Sequence, residues 1–345
     1  MPIMPHAAAT EDDLTARIAL WGLAPDPQAS DRPAGSKNRV VLARGANGDR
    51  AVVKAAYGPG PAGPAWEGSV IRALHSARCR LGLPEVIGFD AQRGILALRW
   101  IAPAETLFDY HRRTGKFEPA IARHLGRAMG ILHREGLSPP ASLKPGLAER
   151  ADIGFVDRLV YVRPEFYARL SRPGIDLLAM IHADKGAYQA LFELTRQRVT
   201  ACLLHGDMKL ANVLRSETSD LVLLDWELAC WGDPARDVGG LVAAYVLEWL
   251  LPPAWPGVLQ QGPLREFLRA MHAAYRRERG AAFPLERDFK LRATRWAGAA
   301  VLFHAYGFTH FEGRLDDRGR RLAQYALEML SQPHRWAWEL WEELP

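Results

Sequence analysis

Two carboxylates and an amide lie close together in the sequence between residues 203 and 227, and they constrain the fold more than any other feature of the chain. Residues 205–212 read His-Gly-Asp-Met-Lys-Leu-Ala-Asn, so that Asp207 and Asn212 are five residues apart. An apolar run at residues 221–224 follows and ends in Asp225. Such a short apolar run is typical of a buried strand. The sequence therefore predicts a polar loop and a β-hairpin that brings a second carboxylate to the loop.

These three side chains have the chemistry that phosphoryl transfer from a nucleoside triphosphate requires. A carboxylate such as Asp207 orients or accepts the proton of an attacking hydroxyl, and the oxygens of Asn212 and Asp225 can hold Mg²⁺. Two protein ligands are enough, because Mg²⁺ keeps waters and phosphate oxygens as its other ligands. The spacing also matches the kinase catalytic loop. An ordinary polar loop is the weaker interpretation, because the loop motif and the strand occur together.

The His-Gly-Asp opening of this loop and the Gly-Asp-Pro-Ala-Arg-Asp run at residues 232–237 resemble the aminoglycoside phosphotransferase and choline kinase superfamily. The resemblance extends from about residue 35 onward and is most specific over residues 203–241. It implies an α+β, bilobal, protein-kinase-like fold with a small antiparallel-sheet N-lobe and a larger, mainly helical C-lobe. It also implies ATP and Mg²⁺ as cofactors.

Two further residues are predicted to support the loop. His205 is expected to orient it through a backbone hydrogen bond, because no third nitrogen or sulfur ligand nearby would complete a metal site. Asp237 resembles the family's aspartate that braces the loop from the start of the next helix. It is also interpretable as a simple acidic residue at a helix N-terminus.

The first hundred residues have the pattern of a small sheet with one helix. An amphipathic helix at 11–23 and a Pro/Gly-rich loop at 24–36 precede it. Period-2 runs and turn signals predict strands at residues 39–44, 51–56, 85–90 and 94–100, and a helix at 64–77. We therefore divide the chain into an N-terminal helix and loop (1–34), a nucleotide-binding N-lobe (35–101) and a catalytic and acceptor-binding C-lobe (102–345).

The C-lobe pattern is mainly helical. Helices are predicted over residues 119–134 and 175–204, and from 236 to the end. The second has a break near Gly186, and its last four residues are alternatively a strand leading into the loop.

A lysine and a glutamate mark the nucleotide end of the N-lobe. Lys54 lies in the second hairpin strand, and Glu67 is the one carboxylate of the following helix. In kinase-like folds such a lysine reaches the α- and β-phosphates and is held by that glutamate. A surface lysine and a surface glutamate are the alternative interpretation.

Other nucleotide contacts are predicted at the edges of this lobe. Ser36 and Asn38 lie in a Gly-Ser-Lys-Asn segment that resembles the family's short phosphate-covering loop, although such a sequence is also ordinary turn chemistry. Arg99 and Ile101, at the junction of the lobes, are expected to supply hinge backbone for the adenine edge.

Two departures from the common pattern lie near the catalytic loop. Lys209 is two residues after Asp207, where serine/threonine protein kinases also have lysine, and its ammonium is suited to offset charge in the transition state. Glu227 follows Asp225 by two residues and would point to the same side of an extended strand, which suggests a supporting metal role. A solvated loop lysine is the alternative for Lys209.

Charge and composition exclude several classes of protein. Residues 1–106 carry 12 basic and 10 acidic residues, and residues 241–345 carry 14 and 12. Neither end is a basic patch, so no nucleic-acid partner is expected. No export signal or apolar run of membrane-spanning length is visible, and the three cysteines have no metal or disulfide spacing. We expect a cytoplasmic protein with no membrane partner.

The acceptor is predicted from weaker patterns. The scarcity of acidic runs after residue 241 disfavours a polycationic aminoglycoside. Residues 100–113 and 225–250 look similar to stand-alone kinases of thioamitide and class V lanthipeptide pathways, which phosphorylate Ser or Thr of a ribosomal precursor peptide before a partner lyase eliminates the phosphate. In this interpretation the basic segment 111–116 contacts an acidic leader peptide, although a solvated basic helix is the simpler reading.

Two alternatives remain open. A small-molecule alcohol, such as an antibiotic, choline or homoserine, would be favoured by an aromatic cage, for which Trp249, Trp255 and Trp296 are candidates. A pseudokinase binding module would lack the lysine, aspartate or asparagine that this chain retains.

Overall fold

The computed structural model describes residues 10–26, 38–56, 63–149, 154–196, 202–216, 221–250, 261–280, 286–311, 313 and 315–341. Two lobes are visible in these residues. The smaller contains an antiparallel sheet, and the larger is mainly helical, so the predicted α+β, bilobal, protein-kinase-like fold is confirmed.

The N-lobe sheet is built from five strands in the order β1-β2-β3-β5-β4, all neighbours antiparallel. The strands are β1 (Leu23–Pro25), β2 (Asn38–Gly45), β3 (Arg50–Ala56), β4 (Val86–Asp90) and β5 (Ile95–Arg99). Buried and partly exposed residues alternate along β3, because successive side chains of a strand point to opposite faces. The short strand β1 falls where the sequence predicts the beginning of a loop. Its pairing with β2 accounts for the difference, and the rest of that predicted loop lies outside the described residues.

One helix packs on each face of this sheet. α1 (Glu11–Leu20) begins with a capping box at Thr10 and buries Leu14 and Ile18 against one face. α2 (Pro64–Ser76) buries Trp66 and Ile71 on the other face, which also faces the C-lobe. The helix that the sequence places in a separate N-terminal segment therefore shares a core with the sheet.

The C-lobe contains short strands near the catalytic loop and a set of packed helices. The strands are β6 (Ala104–Thr106), β7 (Cys202–Leu204), β8 (Val213–Ser216), β9 (Val222–Leu223) and β10 (Cys230–Gly232). The helices are α3 (Leu107–Thr114), α4 (Pro119–Glu135), α5 (Lys144–Glu149), α6 (Phe155–Val160), α7 (Pro164–Tyr167), α8 (Arg172–Ala183), α9 (Lys185–Arg196), α10 (Ala235–Leu250), α11 (Gln261–Arg279), α12 (Glu286–Phe311), α13 (Asp317–Ser331) and α14 (Pro333–Trp341).

Close helix packing holds the C-lobe together. α4 and α11 approach so closely that a Cβ placed on Gly126 would lie 2.0 Å from the Met271 carbonyl oxygen. α10 and α13 pack on α12, and their apolar residues belong to one continuous buried cluster that also contains Trp226, beside the catalytic loop. The loop is therefore held on a rigid support.

The strand alternative for the end of the predicted 175–204 helix is the observed one. That region forms α8 and α9, and residues 202–204 form β7, which pairs with β10. The break falls at Asp184, two residues before Gly186, because the Asp184 side chain caps the next helix by accepting from the Ala187 backbone N–H.

None of the helices in the described part of the chain is long and apolar enough to cross a membrane.

Candidate active site

Lys54, Glu67 and Asp225 meet where the two lobes face each other. Lys54 Nζ lies 3.0 and 2.9 Å from the two carboxylate oxygens of Glu67 and 2.8 Å from Asp225 Oδ1. Glu67 is fully buried, whereas the Asp225 side chain keeps 32% of its surface exposed. The lysine thus joins a buried glutamate of the N-lobe to an accessible carboxylate of the C-lobe.

The opposite charges of Lys54 and its two carboxylate partners stabilise each other and determine the pKa values in this cluster. Burial by itself would lower the pKa of Lys54, but the adjacent charges of Glu67 and Asp225 outweigh burial and raise the pKa above its ordinary value. Burial would raise the pKa of Asp225, and the charge and hydrogen bond of Lys54 bring it below its ordinary value. Lys54 and Asp225 are therefore charged at neutral pH.

The segment after Asp225 corrects one prediction. Asp225 has a left-handed backbone with φ of 67°, and residues 226–228 form a 3₁₀ turn instead of an extended strand. Glu227 therefore does not follow the alternation of a strand. It accepts a 2.6 Å hydrogen bond from Asn38 Nδ2 on β2, and so connects the first residue of that strand to the segment that carries Asp225.

Asp207, Lys209 and Asn212 converge within the catalytic loop. Lys209 Nζ lies 2.6 Å from Asp207 Oδ2, and Asn212 Nδ2 donates to the same oxygen at 3.1 Å and to the Asp207 carbonyl at 2.8 Å. The side chains of Lys209 and Asp207 are 45% and 29% exposed. The loop therefore presents its carboxylate and ammonium to solvent, and Asn212 fixes its shape from the buried side.

Asp237 and His205 support this loop from behind. Asp237 accepts hydrogen bonds from the backbone N–H groups of His205 at 2.7 Å and Gly206 at 3.0 Å. His205 Nε2 lies 2.8 Å from the Leu224 carbonyl oxygen, next to Asp225. Gly206 has φ of 83°, and a Cβ there would lie 2.0 Å from the Leu228 carbonyl oxygen, so only glycine fits. The contacts predicted for His205 and Asp237 are both present.

His133 on α4 is a supporting residue that the sequence reasoning missed. Its Nε2 lies 3.2 Å from Asp237 Oδ2, and its Nδ1 lies 2.9 Å from the Tyr275 hydroxyl. Burial would raise the pKa of Asp237, but the hydrogen bond and charge of His133 help to keep it below its ordinary value. No local sequence signal identifies His133, because it acts from a helix far from the loop in the chain.

His304 on α12 is a second missed residue near the loop. Desolvation lowers the pKa of His304, and the Lys209 ammonium lowers it further, whereas the Asp207 carboxylate raises it. These electrostatic interactions place α12 beside the transfer end of the site.

The donor set suits a hard cation that keeps waters or phosphate oxygens as ligands. Among the described residues, no group of three or more histidine, cysteine, aspartate or glutamate side chains could hold a metal ion. Asn212 uses its amide nitrogen within the loop, so its amide oxygen is the atom left for a cation, and Asp225 supplies a carboxylate. An amide oxygen and a carboxylate fit Mg²⁺ better than a softer metal.

The remaining predicted nucleotide contacts have different surroundings. The Arg99 backbone N–H donates to the Glu85 carbonyl, and its side chain pairs with Glu85 and Asp49, so Arg99 is tied to the N-lobe. Ile101 lies in the connection between the lobes. Ser36 lies outside the described residues.

One residue in each of two acceptor predictions does not agree with the structure. His111 is fully buried, with ring nitrogens near the Lys116 carbonyl and the Tyr245 hydroxyl, so it cannot contact a leader peptide. Trp296 is also buried and lies 5.8 Å from the Arg236 guanidinium, which occupies the position of a cage cation. The Trp249 side chain and Trp255 lie outside the described residues.

The fold is shared with solved kinase structures. The structure of choline kinase LicA from Streptococcus pneumoniae has a TM-score of 0.54 at 16% identity, over 93% of this chain and 99% of that chain. A choline/ethanolamine kinase family protein from Mesorhizobium loti has a TM-score of 0.54 at 19% identity, over 96% and 99%. Amicoumacin kinase hAmiN, solved with AMP-PNP, Ca²⁺ and Ami, has a TM-score of 0.61 at 12% identity, over 94% of both chains.

Sequence comparison identifies the family. No curated protein sequence matches the chain. The model of the phosphotransferase enzyme family matches residues 29–280, which include Lys54, the catalytic loop and Asp225. The match covers most of the chain and agrees with the kinase fold and with the cluster of lysine, aspartate and asparagine side chains between the lobes. The chain therefore belongs to the phosphotransferase enzyme family and is an ATP-dependent kinase that transfers phosphate to a hydroxyl group.

Proposed function

We propose that the protein uses Mg²⁺·ATP to phosphorylate Ser or Thr of a ribosomally made precursor peptide. The observation that carries this proposal is the contact of 2.6 Å between Lys209 Nζ and Asp207 Oδ2. Lysine two residues after the catalytic aspartate is the arrangement of serine/threonine protein kinases, and here the two side chains touch in an accessible loop.

The nucleotide end of the site has a clear division of roles. Lys54, held by Glu67, binds the α- and β-phosphates, and Asn38, the first residue of β2, contacts the phosphates together with Ser36. The Arg99 carbonyl and the Ile101 backbone form the hinge that meets the adenine edge. Asn212 and Asp225 hold Mg²⁺, which neutralises phosphate charge.

The transfer step uses the two accessible side chains of the catalytic loop. The hydrogen bonds from Lys209 and Asn212 both reach Oδ2 of Asp207, which leaves Oδ1 for the acceptor hydroxyl. Asp207 takes the hydroxyl proton as the acceptor oxygen forms a bond to the γ-phosphorus and the bond to the leaving ADP oxygen breaks. Lys209 offsets the negative charge on the transferring group. The products are ADP and a phosphate ester.

A peptide phosphate ester also suggests a partner. Phosphorylated Ser or Thr in a precursor peptide is a substrate for elimination by a separate lyase, which gives a dehydroamino acid. We therefore propose that the kinase performs the first half of a two-enzyme dehydration, in the cytoplasm where such precursors are made.

A small-molecule alcohol is the second candidate acceptor. The structural neighbours named as choline and amicoumacin kinases favour this class. The buried state of Trp296 weakens the aromatic cage that choline recognition would need.

The experiment compares the two acceptor classes directly. Purified protein, ATP and Mg²⁺ are incubated with the precursor peptide encoded beside its gene, and in parallel with choline, homoserine and aminoglycosides. Mass spectrometry should detect added phosphate on Ser or Thr of the peptide, and the Asp207→Asn variant should add none. Phosphate on a small alcohol but not on the peptide would overturn the peptide acceptor and leave the hydroxyl kinase intact.

A further inference from the structure

A cavity of about 820 Å³ lies between α6, α7 and the C-terminal half of α12. Its apolar lining comes from Tyr161, Phe166 and Tyr306, and its volume is within the range of ligand-binding cavities. We call it the Arg–Tyr cavity, for these aromatic residues and the three arginines Arg158, Arg163 and Arg169.

The charge of the Arg–Tyr cavity is positive. Among the described residues that line it, the three arginines are joined by two acids, Asp157 and Glu165, so three positive charges face two negative ones. All three arginines are exposed, and within the described parts of the chain none of their guanidinium groups forms an ion pair. A site for a polycation needs an excess of carboxylates, whereas free guanidinium groups bind carboxylates in a bidentate geometry.

One turn of α12 connects the Arg–Tyr cavity to the transfer end of the active site. The Tyr306 and Phe303 rings on α12 both contact Phe155 of α6, with centroid distances of 5.4 and 5.0 Å. His304, between them in the sequence, interacts electrostatically with Lys209 and Asp207. The turn of α12 that contains Phe303, His304 and Tyr306 therefore lies near both the catalytic loop and α6, which lines the cavity.

Exposed aromatic side chains lie around the Arg–Tyr cavity. Tyr161 is 44% exposed, Tyr167 on α7 is 47% exposed and Phe303 is 52% exposed. Large apolar side chains are usually withdrawn from solvent, and a group of them beside unpaired arginines is typical of the core of a protein or peptide interface.

We propose that the Arg–Tyr cavity binds an acidic segment of the peptide acceptor, a stretch that carries Asp or Glu together with apolar side chains. This inference rests on the peptide acceptor proposed above. The arginines bind the carboxylates, the aromatic rings bind the apolar side chains, and the bound segment holds a neighbouring Ser or Thr at the catalytic loop. Binding of this kind raises the effective concentration of the hydroxyl at Asp207.

The test uses two labelled peptides and two matched triple variants. One peptide contains a serine and a run of glutamates, and the other has glutamine in place of each glutamate. The cavity variant combines Arg158→Ala, Arg163→Ala and Arg169→Ala. The control variant combines Arg123→Ala, Arg320→Ala and Arg321→Ala, three exposed arginines on α4 and α13 that do not line the cavity.

Fluorescence anisotropy should show that the cavity variant binds the acidic peptide about tenfold or more weakly than the wild type, since three exposed charge pairs are lost. The control variant should bind it like the wild type, and the glutamine peptide should bind weakly to all three proteins. ATP binding and melting temperature should be unchanged in both variants. Equal affinity of the cavity variant and the wild type for the acidic peptide would overturn the inference.

Two other outcomes separate this inference from the proposed function. If the acidic peptide binds as expected but no peptide is phosphorylated, the docking site stands and the peptide acceptor fails. If peptides are phosphorylated with the same KM by the cavity variant, the acceptor stands and the docking site fails. Tighter binding of a single-stranded RNA oligomer than of the acidic peptide, lost in the cavity variant, would overturn it in favour of a nucleic-acid site.

Discussion

The active site contains the same pair of residues, a lysine and an aspartate, in two different surroundings. Lys54 and Asp225 meet between the lobes, and a fully buried Glu67 holds the lysine from behind. Lys209 and Asp207 meet in an accessible loop, where no other carboxylate of the described residues forms an ion pair with the lysine. The Lys54 pair is fixed because loss of the lysine would leave the fully buried Glu67 carboxylate uncompensated in a medium of low dielectric constant. The exposed pair exchanges partners with water at little free-energy cost, which suits groups that must meet a substrate.

The largest effect should follow from Asp225→Asn, which removes the proposed metal carboxylate and one partner of Lys54. We expect turnover to fall by more than about 10⁴-fold, because the charge that anchors the cation is lost. Turnover measured over a wide range of Mg²⁺ concentrations checks this. Recovery of full activity at modestly raised Mg²⁺ would assign Asp225 a peripheral role.

Asp207→Asn keeps the shape of the exposed pair but removes its proton acceptor. We expect turnover to fall by about 10²–10⁴-fold, the usual contribution of general-base catalysis. ATP affinity should be unchanged, because the proposed partner of Asp207 is the acceptor hydroxyl and not the nucleotide. Steady-state kinetics with nucleotide binding by calorimetry checks both parts, and weakened ATP binding with normal turnover would contradict the assignment.

Lys54→Met tests the contact of Lys54 with Asp225 by removing the lysine. We expect turnover or ATP binding to fall about 10²-fold, because a phosphate-binding charge is lost. The variant also leaves the buried Glu67 without its cation, which should lower the free energy of unfolding by about 3–5 kcal/mol at neutral pH.

The stability loss of Lys54→Met should depend on pH in a defined direction. Burial raises the pKa of Glu67 and Lys54 opposes that rise, so removal of Lys54 raises the pKa further. A raised folded-state pKa means that stability is present below the unfolded pKa and is lost as pH rises through the folded pKa. The deficit should therefore shrink as pH falls from neutral toward the ordinary pKa of glutamate. Denaturant unfolding at several pH values measures it.

A matched double variant separates folding from catalysis in that experiment. Glu67→Gln added to Lys54→Met removes the unpaired charge, so most of the stability should return while the turnover stays low. If the double variant regained turnover together with stability, Lys54 would have a structural role only.

Lys209→Ala should have the smallest effect. We expect turnover to fall about tenfold with little change in ATP affinity, because an ammonium that acts on developing charge affects the transition state more than the ground state. The free energy of unfolding should change by less than about 1 kcal/mol, since both side chains of the pair are partly exposed to solvent. A stability loss as large as that of Lys54→Met would show that the two pairs are alike.

The sequence was sufficient to predict the order in which the site residues follow one another in the chain. It predicted only some of the contacts between them. The aspartate, lysine and asparagine of residues 207–212 lie within one short loop, where spacing and residue type carry the chemical information. The partners of Lys54 were predicted in part: Glu67 follows from the order of strand and helix, but Asp225 is 171 residues away in the chain. The strand predicted to carry Glu227 was wrong, because the left-handed backbone of Asp225 ends the alternation on which that prediction depended.

The sequence by itself determined the kinds of chemical groups at the site, the kinase-like order of strands and helices, and the family. Residue type, spacing and hydrophobic periodicity are local properties, and they are sufficient for these conclusions. Only the tertiary structure showed that Asn38 holds Glu227 across 189 residues, that His133 supports Asp237 across 104 residues, and that three arginines share one cavity with exposed aromatic rings. The physical reason is that such contacts depend on how helices and strands pack, and packing is set by the complementarity of whole surfaces rather than by any short stretch of chain.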